Sequence, residues 1–182
     1  KPFSKKQLQE LLNHQHRDSD LFKKDESWKD VSAKDLKFAI DEEKLVSYFQ
    51  PKLCCTSDDL VGFECLARWY NDDCGFVPPD HFIKVAERHG LINELTRKIY
   101  RDAFSNLPYQ VKRDKLKIAL NLSPLNLEDE SFPNWLLTEC MSLGIDPEQV
   151  ILELTETASM DKPLILLECL TQFRIRGFHI SI

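Results

Sequence analysis

The stretch Val61-Gly-Phe-Glu-Cys-Leu-Ala-Arg-Trp69 combines a strand pattern with two charged residues on one face. Its β-branched and aromatic residues predict a β-strand. Alternate side chains of a strand point to opposite faces, so Glu64 and Arg68 share one face with Gly62 and Leu66. Because both faces also carry apolar residues, we expect the strand to be buried on both sides, in a parallel sheet covered by helices.

The two charged residues of this strand need partners that the strand itself does not supply. A buried carboxylate is costly unless it is paired, hydrogen-bonded or bound to a metal. Glu64 and Arg68 are four residues apart, which on a strand is about 13 Å at roughly 3.3 Å per residue. A direct ion pair between them is therefore not expected. We expect a metal ion at Glu64 and a phosphate at Arg68 instead.

The composition is that of an ordinary globular protein. The chain has 182 residues, of which 42% are hydrophobic and 30% charged, as expected for a chain with a sizeable core. No apolar run approaches the roughly 20 residues of a membrane span, and the first residues are too polar for a signal peptide. The net charge of −6 argues against a surface for nucleic-acid polymers, which needs a basic patch. A small anionic ligand held by metal ions and one arginine remains compatible with this charge.

The cysteines predict a reducing environment. They show neither a CxxC pair nor the His spacing of a zinc site, and three of them sit in apolar strand or helix patterns, where buried free thiols are expected. The expected localisation is therefore the cytoplasm. The six cysteines are Cys54, Cys55, Cys65, Cys74, Cys140 and Cys169.

Residues 1–31 are assigned to the end of an upstream domain followed by a linker. Lys1-Pro2-Phe3-Ser4, placed before leucines at helical spacing, resembles the closing segment of a response-regulator receiver domain. The charge-dense segment from His14 to Ser27 predicts a linker. In that linker His14 and His16 are expected to be solvated rather than to bind a metal.

From residue 32 onward, strands alternate with helices of ten or more residues, which predicts a parallel α/β architecture. Ser32-Ala-Lys-Asp35 is a variant of the capping box and predicts the start of a helix. The expected strands are Leu45–Pro51, Leu60–Trp69, Lys117–Ser123, Val150–Thr155 and one from Phe178, and the expected longer helices are Asp80–His89, Ile92–Asn106, Ser131–Leu143 and Pro163–Arg176, with a loop at Asn71–Pro79.

Two later strands also carry polar residues near the point where each strand ends. Asn121 and Ser123 share one face at the end of an Ile-Ala-Leu strand. Glu153 lies within Val-Ile-Leu-Glu-Leu, and Glu156 follows that strand. Each of these taken singly is explained as a hydrogen-bonded strand-end residue. Together with the two charged residues of the first strand they indicate a site, because barrel and doubly wound enzymes build their sites at the C-terminal ends of parallel strands.

The residue types at these strand ends indicate a particular chemistry. Carboxylate and amide oxygens are hard ligands of the kind that Mg²⁺ or Mn²⁺ prefers. An arginine close by suits a phosphate, because its planar guanidinium donates two parallel hydrogen bonds. The residues alone therefore predict metal-assisted attack of water on a phosphate ester.

Five motifs of the chain resemble the EAL domain family in residue type, order and spacing. They are Tyr48-Phe-Gln-Pro51, Gly62-Phe-Glu-Cys-Leu-Ala-Arg-Trp69, Pro79-Asp-His-Phe-Ile83 with Ala86-Glu87, Asn121-Leu-Ser123 and Glu153-Leu-Thr-Glu156. The resemblance covers residues 32–182 and implies a modified TIM-like (β/α)8 barrel that hydrolyses the bacterial second messenger cyclic di-GMP to linear pGpG with Mg²⁺ or Mn²⁺. The triplet that names the family reads Glu64-Cys65-Leu66 here, and the small Cys65 is expected to pack where the family has Ala.

The resemblance also implies roles for individual residues. Three of them would be metal ligands, namely Glu64, Asn121 and Glu153. Glu64 and Glu156 would be the catalytic carboxylates, with Glu156 bracing the site or a catalytic loop. Arg68 would hold a substrate phosphate and Gln50 would contact a guanine.

Part of the family's pattern does not occur within these 182 residues. After a strand like the last one here, the family continues with an Asp-Asp-Phe-Gly-Thr-Gly loop, a catalytic Lys, a further Glu and a Gln. A barrel of this type needs about 250 residues, so we expect the chain to hold an incomplete barrel, truncated before the Asp-Asp loop. By itself it is expected to lack activity and an ordered metal, and to self-associate as a homodimer through an open sheet edge.

Three functions remain open at this point. The first is a cyclic di-GMP phosphodiesterase behind a receiver-type regulatory domain. The second is a catalytically inactive EAL domain that acts as a cyclic di-GMP receptor, and the third is a module kept for protein contacts. The metal and phosphate positions that the resemblance identifies are all present in the chain, which favours the phosphodiesterase.

Overall fold

The computed structural model of the chain describes residues 26–155 and 163–181, which form one mixed β-sheet with helices packed against it. The strands are β1 (Leu45–Leu53), β2 (Leu60–Asn71), β3 (Gly75–Val77), β4 (Lys117–Leu122), β5 (Val150–Leu154) and β6 (His179–Ser181). The α-helices are α1 (Ala33–Asp41), α2 (Pro79–Arg88), α3 (Ile92–Ser105), α4 (Tyr109–Asp114), α5 (Phe132–Ser142) and α6 (Pro163–Ile175), and short 3-10 helices occupy Glu26–Asp30, Pro124–Glu128 and Pro147–Gln149.

The sheet is mixed, so the expected parallel arrangement is wrong for β1. The strand order is β1-β2-β4-β5-β6, in which β2, β4, β5 and β6 are parallel. β1 pairs with β2 in the antiparallel sense. The reason is the short connection between Leu53 and Leu60, since a parallel pair needs a crossover of a dozen or more residues. Pro51 is tolerated because β1 lies at the edge of this sheet.

One face of the sheet carries the hydrophobic core. On β2, Phe63, Cys65 and Trp69 are at most 4% exposed and pack among residues of the helices. The Trp69 ring meets the Phe82 ring of α2 edge to face, with centroids 5.9 Å apart. The opposite face of β2 is half-buried, and the Glu64 side chain is 27% exposed. The expectation that β2 is buried on both sides is therefore wrong, because the helices of the described residues cover only one face.

The helix α1 begins as the sequence predicts. The Ser32 hydroxyl accepts a hydrogen bond from the backbone N–H of Asp35, and the Asp35 carboxylate accepts one from the backbone N–H of Ser32. This reciprocal pair is the capping box, which satisfies two N–H groups that a helix start leaves without partners. The Ser32 hydroxyl also donates to this carboxylate, and these hydrogen bonds lower the pKa of Asp35.

Two short elements lie where the sequence pattern predicts none. Part of the expected loop Asn71–Pro79 forms strand β3, which pairs with the end of β2. The Asn71 side chain closes the turn between them by accepting from the backbone N–H groups of Asp73 and Cys74. Helix α4 follows Pro108 and spans only six residues, too few for a helical hydrophobic period to be visible.

The three cysteines expected to be buried free thiols are Cys65, Cys140 and Cys169, and the structure confirms them as such. Burial raises the pKa of Cys65 and Cys140 to about 12. Next to the predicted domain boundary, Trp28 packs against the core beside α2, with its ring 5.1 Å from that of His81. The receiver-like segment, His14 and His16 lie outside the described residues.

Candidate functional site

The predicted site residues collect on the face of the sheet that the helices leave open. Glu64 lies opposite Gln50 in the antiparallel β1–β2 register. Across β4 and β5, Asn121 lies opposite Glu153, which in turn lies opposite Ser181 of β6. Since partners in neighbouring strands point to the same face, these side chains line one polar surface.

Glu64 and Glu153 converge on the ammonium group of Lys52. The Lys52 Nζ lies 2.5 Å from Glu153 Oε1 and 4.0 Å from Glu64 Oε2. The two carboxylates, on strands β2 and β5, thus face a single cationic nitrogen at about one quarter exposure each. The strands place two of the predicted metal ligands within reach of one cation.

Lys52 lies at the candidate site although the sequence motifs did not single it out. A signal for it was available, because Lys52 lies two residues after Gln50 on the same strand and therefore shares its face. In the register Lys52 lies opposite Gly62. Gly62 is itself required there, because a Cβ atom at this position would lie 2.5 Å from the backbone oxygen of Lys117.

Asn121 lies on the same face as the two carboxylates, next to Glu153. Its side chain is exposed, while its backbone oxygen accepts a hydrogen bond of 2.9 Å from the buried Tyr100 hydroxyl. Burial raises the pKa of Tyr100 well above its ordinary value, so this hydroxyl stays a donor. The bond fixes the end of β4 and with it the position from which the Asn121 amide projects.

Arg68 lies farther along the same face of β2. Its guanidinium donates to the backbone oxygen of Ala67 at 2.9 Å and lies 5.7 Å from the centroid of the Tyr48 ring. Such a ring orients a guanidinium without neutralising its charge. Gln50 is exposed on β1, on the same side of the sheet.

Ser123 does not join Asn121 on the open face, which corrects the expectation that the two share it. β4 ends at Leu122, and the buried Ser123 caps the next 3-10 helix by accepting from the backbone N–H of Leu125. Its hydroxyl donates to the Glu87 carboxylate of α2 at 2.7 Å. Ser123 and Glu87 therefore connect β4 to α2 behind the site.

The donor set at this site suits a hard divalent cation. Two carboxylates and an amide are oxygen donors, and the carboxylates already gather around one cationic group. Within the two described ranges, no three His, Cys, Asp or Glu side chains form a metal-binding group. The predicted ligands that the structure describes are the two carboxylates and the Asn121 amide. Glu156 lies outside the described residues.

Residues 33–182 match the EAL domain, which is more than half of the chain. The chain belongs to the EAL domain family. The family assignment and the fold agree, since the strands and helices described above superpose on those of solved EAL domains.

One curated relative and one solved structure illustrate the similarity of this EAL domain to known ones. The cyclic di-GMP phosphodiesterase RocR of Pseudomonas aeruginosa is 28% identical over 179 residues, which cover 97% of this chain and 46% of RocR. The solved cyclic di-GMP complex of the PaMucR phosphodiesterase is 28% identical with a TM-score of 0.72, and the match covers 82% of this chain and 61% of that one.

A third comparison supports the fold alone. The manganese and cyclic di-GMP complex of BlrP1 from Klebsiella pneumoniae is 24% identical, with a TM-score of 0.62 over 76% of this chain and 34% of BlrP1. The chain spans less than half the length of two curated relatives that it matches, 46% of RocR and 18% of a signalling protein of Caulobacter vibrioides. Among the described residues, no helix combines the length and apolar character needed to cross a bilayer.

Proposed function

We propose that the protein containing this EAL domain is a metal-dependent phosphodiesterase that hydrolyses cyclic di-GMP to linear pGpG in bacterial signal transduction. The observation that carries this proposal is the convergence of Glu64 and Glu153 on one cationic group, on the open face of the sheet that also carries Arg68. Family membership and the phosphodiesterases among its relatives support the same activity.

In this proposal Glu64, Asn121 and Glu153 hold Mg²⁺ or Mn²⁺. Carboxylate and amide oxygens are the ligands these ions prefer. When bound, the cation supplies an activated water and offsets the negative charge of the phosphate. Glu64 is assigned as both a ligand and a catalytic carboxylate, and Glu156 as a carboxylate that braces the site.

Arg68 and Gln50 are proposed to bind the substrate. The Arg68 guanidinium donates one hydrogen bond to the backbone and stacks near Tyr48, which leaves its remaining N–H groups for a phosphate. Gln50 is exposed on the edge strand and carries both a donor and an acceptor, as recognition of a guanine requires. Both side chains lie on the same face as the proposed metal ligands.

The test is turnover of cyclic di-GMP by the full-length protein with Mg²⁺ or Mn²⁺, compared with its Glu64→Gln variant. Linear pGpG from the parent and its loss in the variant support the proposal. A suitable control is Glu94→Gln, which changes a carboxylate paired with Lys37 on the outer helices. Tight binding of cyclic di-GMP without turnover by the parent would instead support a receptor, and neither binding nor turnover would support a module for protein contacts.

The wider context of this activity is also a proposal. We infer a receiver-type regulatory domain upstream from the motif at the start of the chain. We also infer a cytoplasmic location, which agrees with the free thiols of Cys65, Cys140 and Cys169. We infer self-association to a homodimer through β6, which is an edge strand of the described sheet, because an edge strand presents unpaired backbone groups to another chain. Sedimentation of the chain as a monomer at all concentrations would refute the last point.

A further inference from the structure

The contact of Lys52 with both acidic side chains connects three strands. Lys52 belongs to edge strand β1, Glu64 to its neighbour β2, and Glu153 to β5, 101 residues farther along the chain. The ammonium group donates to Glu153 Oε1 at 2.5 Å and lies 4.0 Å from Glu64 Oε2. Because both distances are measured from the same nitrogen, the separation between the two carboxylate oxygens cannot exceed the sum of these two distances.

The negative charges of Glu64 and Glu153 explain why a cation lies between them. Two carboxylates that face one another repel, and an ammonium group between them compensates that repulsion. A lysine suits this role because its charge is compact and its four-carbon stem is flexible. Lys52 therefore provides the positive charge that the geometry of Glu64 and Glu153 requires.

The ammonium group and a divalent cation compete for the same carboxylate. A divalent ion such as Mg²⁺ needs oxygen ligands at about 2.0–2.1 Å in a strict geometry. An ammonium 2.5 Å from Glu153 Oε1 occupies the space in front of that oxygen and repels a second positive charge. An ion that binds Glu64 and Glu153 must therefore displace Lys52.

The surroundings of Lys52 allow this displacement. Its side chain is 37% exposed, so the ammonium can move into solvent without crossing the core. Lys52 also lies on the edge strand, where the register with β2 shifts between Lys52 and Leu53. Moving the ammonium group into solvent breaks its contacts with Glu64 and Glu153, which lie on the open face of the sheet.

We propose that Lys52 is an internal counter-ion, which holds the cation position between Glu64 and Glu153 in the metal-free domain and leaves it when a divalent ion binds. This inference rests on the metal site of the proposed function and adds a residue that sets its affinity. Lys52 thus competes with the metal ion for the two carboxylates. When the metal ion binds, it replaces the ammonium group, so Glu64 and Glu153 face a positive charge in both states.

The test uses the full-length protein and Mn²⁺ alone, without substrate, with binding measured by titration calorimetry and by loss of the free Mn²⁺ paramagnetic resonance signal. Lys52→Met is expected to tighten Mn²⁺ binding by about 3- to 10-fold, because a partly exposed ion pair no longer has to be broken. Lys52→Arg keeps the charge and gains a bidentate fork, so it is expected to bind Mn²⁺ no more tightly than the parent.

A matched control separates competition from a general change in charge. Lys37 also bridges two carboxylates, those of Asp41 and Glu94 at 2.9 and 2.6 Å, but on the outer helices. Lys37→Met removes the same charge and is expected to leave Mn²⁺ affinity unchanged. Thermal unfolding of each variant establishes that the affinities belong to folded protein.

The outcomes distinguish this inference from the function on which it rests. If Glu64→Gln weakens Mn²⁺ binding but Lys52→Met leaves it unchanged or weakens it, the metal site stands and the counter-ion role is refuted. If Glu64→Gln leaves Mn²⁺ affinity unchanged, the metal site itself is refuted, and the role of Lys52 with it. A Lys52→Arg variant that binds Mn²⁺ as tightly as Lys52→Met would also overturn the competition.

Discussion

The two faces of strand β2 have opposite requirements, although their residues alternate along one chain. Phe63, Cys65 and Trp69 are at most 4% exposed and pack against helices. Glu64 and Arg68 lie between them in sequence, yet are half-buried and touch charged, polar or aromatic groups of other strands. Residues of the first face are therefore selected for packing in the core, and Glu64 and Arg68 on the second face for their charge. Substitutions on the first face should lower the free energy of unfolding, whereas changes to these two charged residues should lower turnover or substrate binding.

The largest effect is expected on the buried face. Trp69→Ala removes a fully buried ring that packs against Phe82, so the free energy of unfolding should fall by about 3–5 kcal/mol. Urea unfolding followed by circular dichroism measures this change. Trp28→Ala is the matched control, because Trp28 is only partly buried and should cost less. Equal losses for both variants would contradict the assigned burial.

A change on the open face should affect turnover instead of folding. Glu64→Gln removes the charge of a proposed metal ligand, so hydrolysis of cyclic di-GMP by the full-length protein should fall by about 100-fold or more, or roughly 3 kcal/mol. Its free energy of unfolding should change by less than about 1 kcal/mol, as for other substitutions outside a core. Turnover at the parental rate would show that Glu64 is not a ligand.

Arg68 should separate substrate binding from metal binding. Arg68→Ala should raise the KM for cyclic di-GMP by about 10-fold or more, since a charge-assisted hydrogen bond is worth roughly 1.5–3 kcal/mol. Mn²⁺ affinity should stay at the parental value. Arg68→Lys keeps the charge but loses the fork, so its KM should be intermediate. Loss of Mn²⁺ affinity in Arg68→Ala would place this residue among the metal ligands.

Gly62 is an exception to the difference between the two faces of β2, because it lies on the same face as Glu64 but is buried. A Cβ atom there would lie 2.5 Å from the Lys117 backbone oxygen, so Gly62→Ala should force β2 and β4 apart and lower the free energy of unfolding by about 1–3 kcal/mol. Val61→Ala, at an exposed neighbour, is the control and should change it little. Equal stability of both variants in urea would contradict the close approach.

The smallest effect concerns thiol reactivity and leaves the fold unchanged. Hydrogen bonds from the Ser57 and Thr56 hydroxyls lower the pKa of Cys54 to about 6, whereas burial raises that of Cys65 on the packed face of β2 to about 12. Above pH 6 Cys54 is therefore mostly thiolate and Cys65 is not. Iodoacetamide at pH 7.5 should alkylate Cys54 first, as measured by peptide mass spectrometry. Equal rates in folded protein would contradict this order.

Much of the fold was predictable because local sequence signals agreed with it. The capping box at Ser32 and the alternation within β2 depend only on residues a few positions apart, and the structure confirms both. The parallel direction predicted for β1 is wrong, because the alternation of strands and helices along the rest of the chain does not extend to β1 and β2, which are joined by the short 54–59 connection typical of a hairpin. Strand β3 has only three residues. So short a strand shows no alternation in sequence and forms because it pairs with β2.

The sequence by itself determined the alternation of the strands, the family and the residue types of the candidate site, because periodicity and motif spacing are local properties. Only the tertiary structure decided that Glu64 and Glu153 meet at Lys52, since this contact joins β1, β2 and β5 across 101 residues. It also decided that Ser123 supports the site from behind, where it hydrogen-bonds Glu87 of α2. Such contacts follow from strand order and register, which fix the distance between side chains that are far apart in the chain.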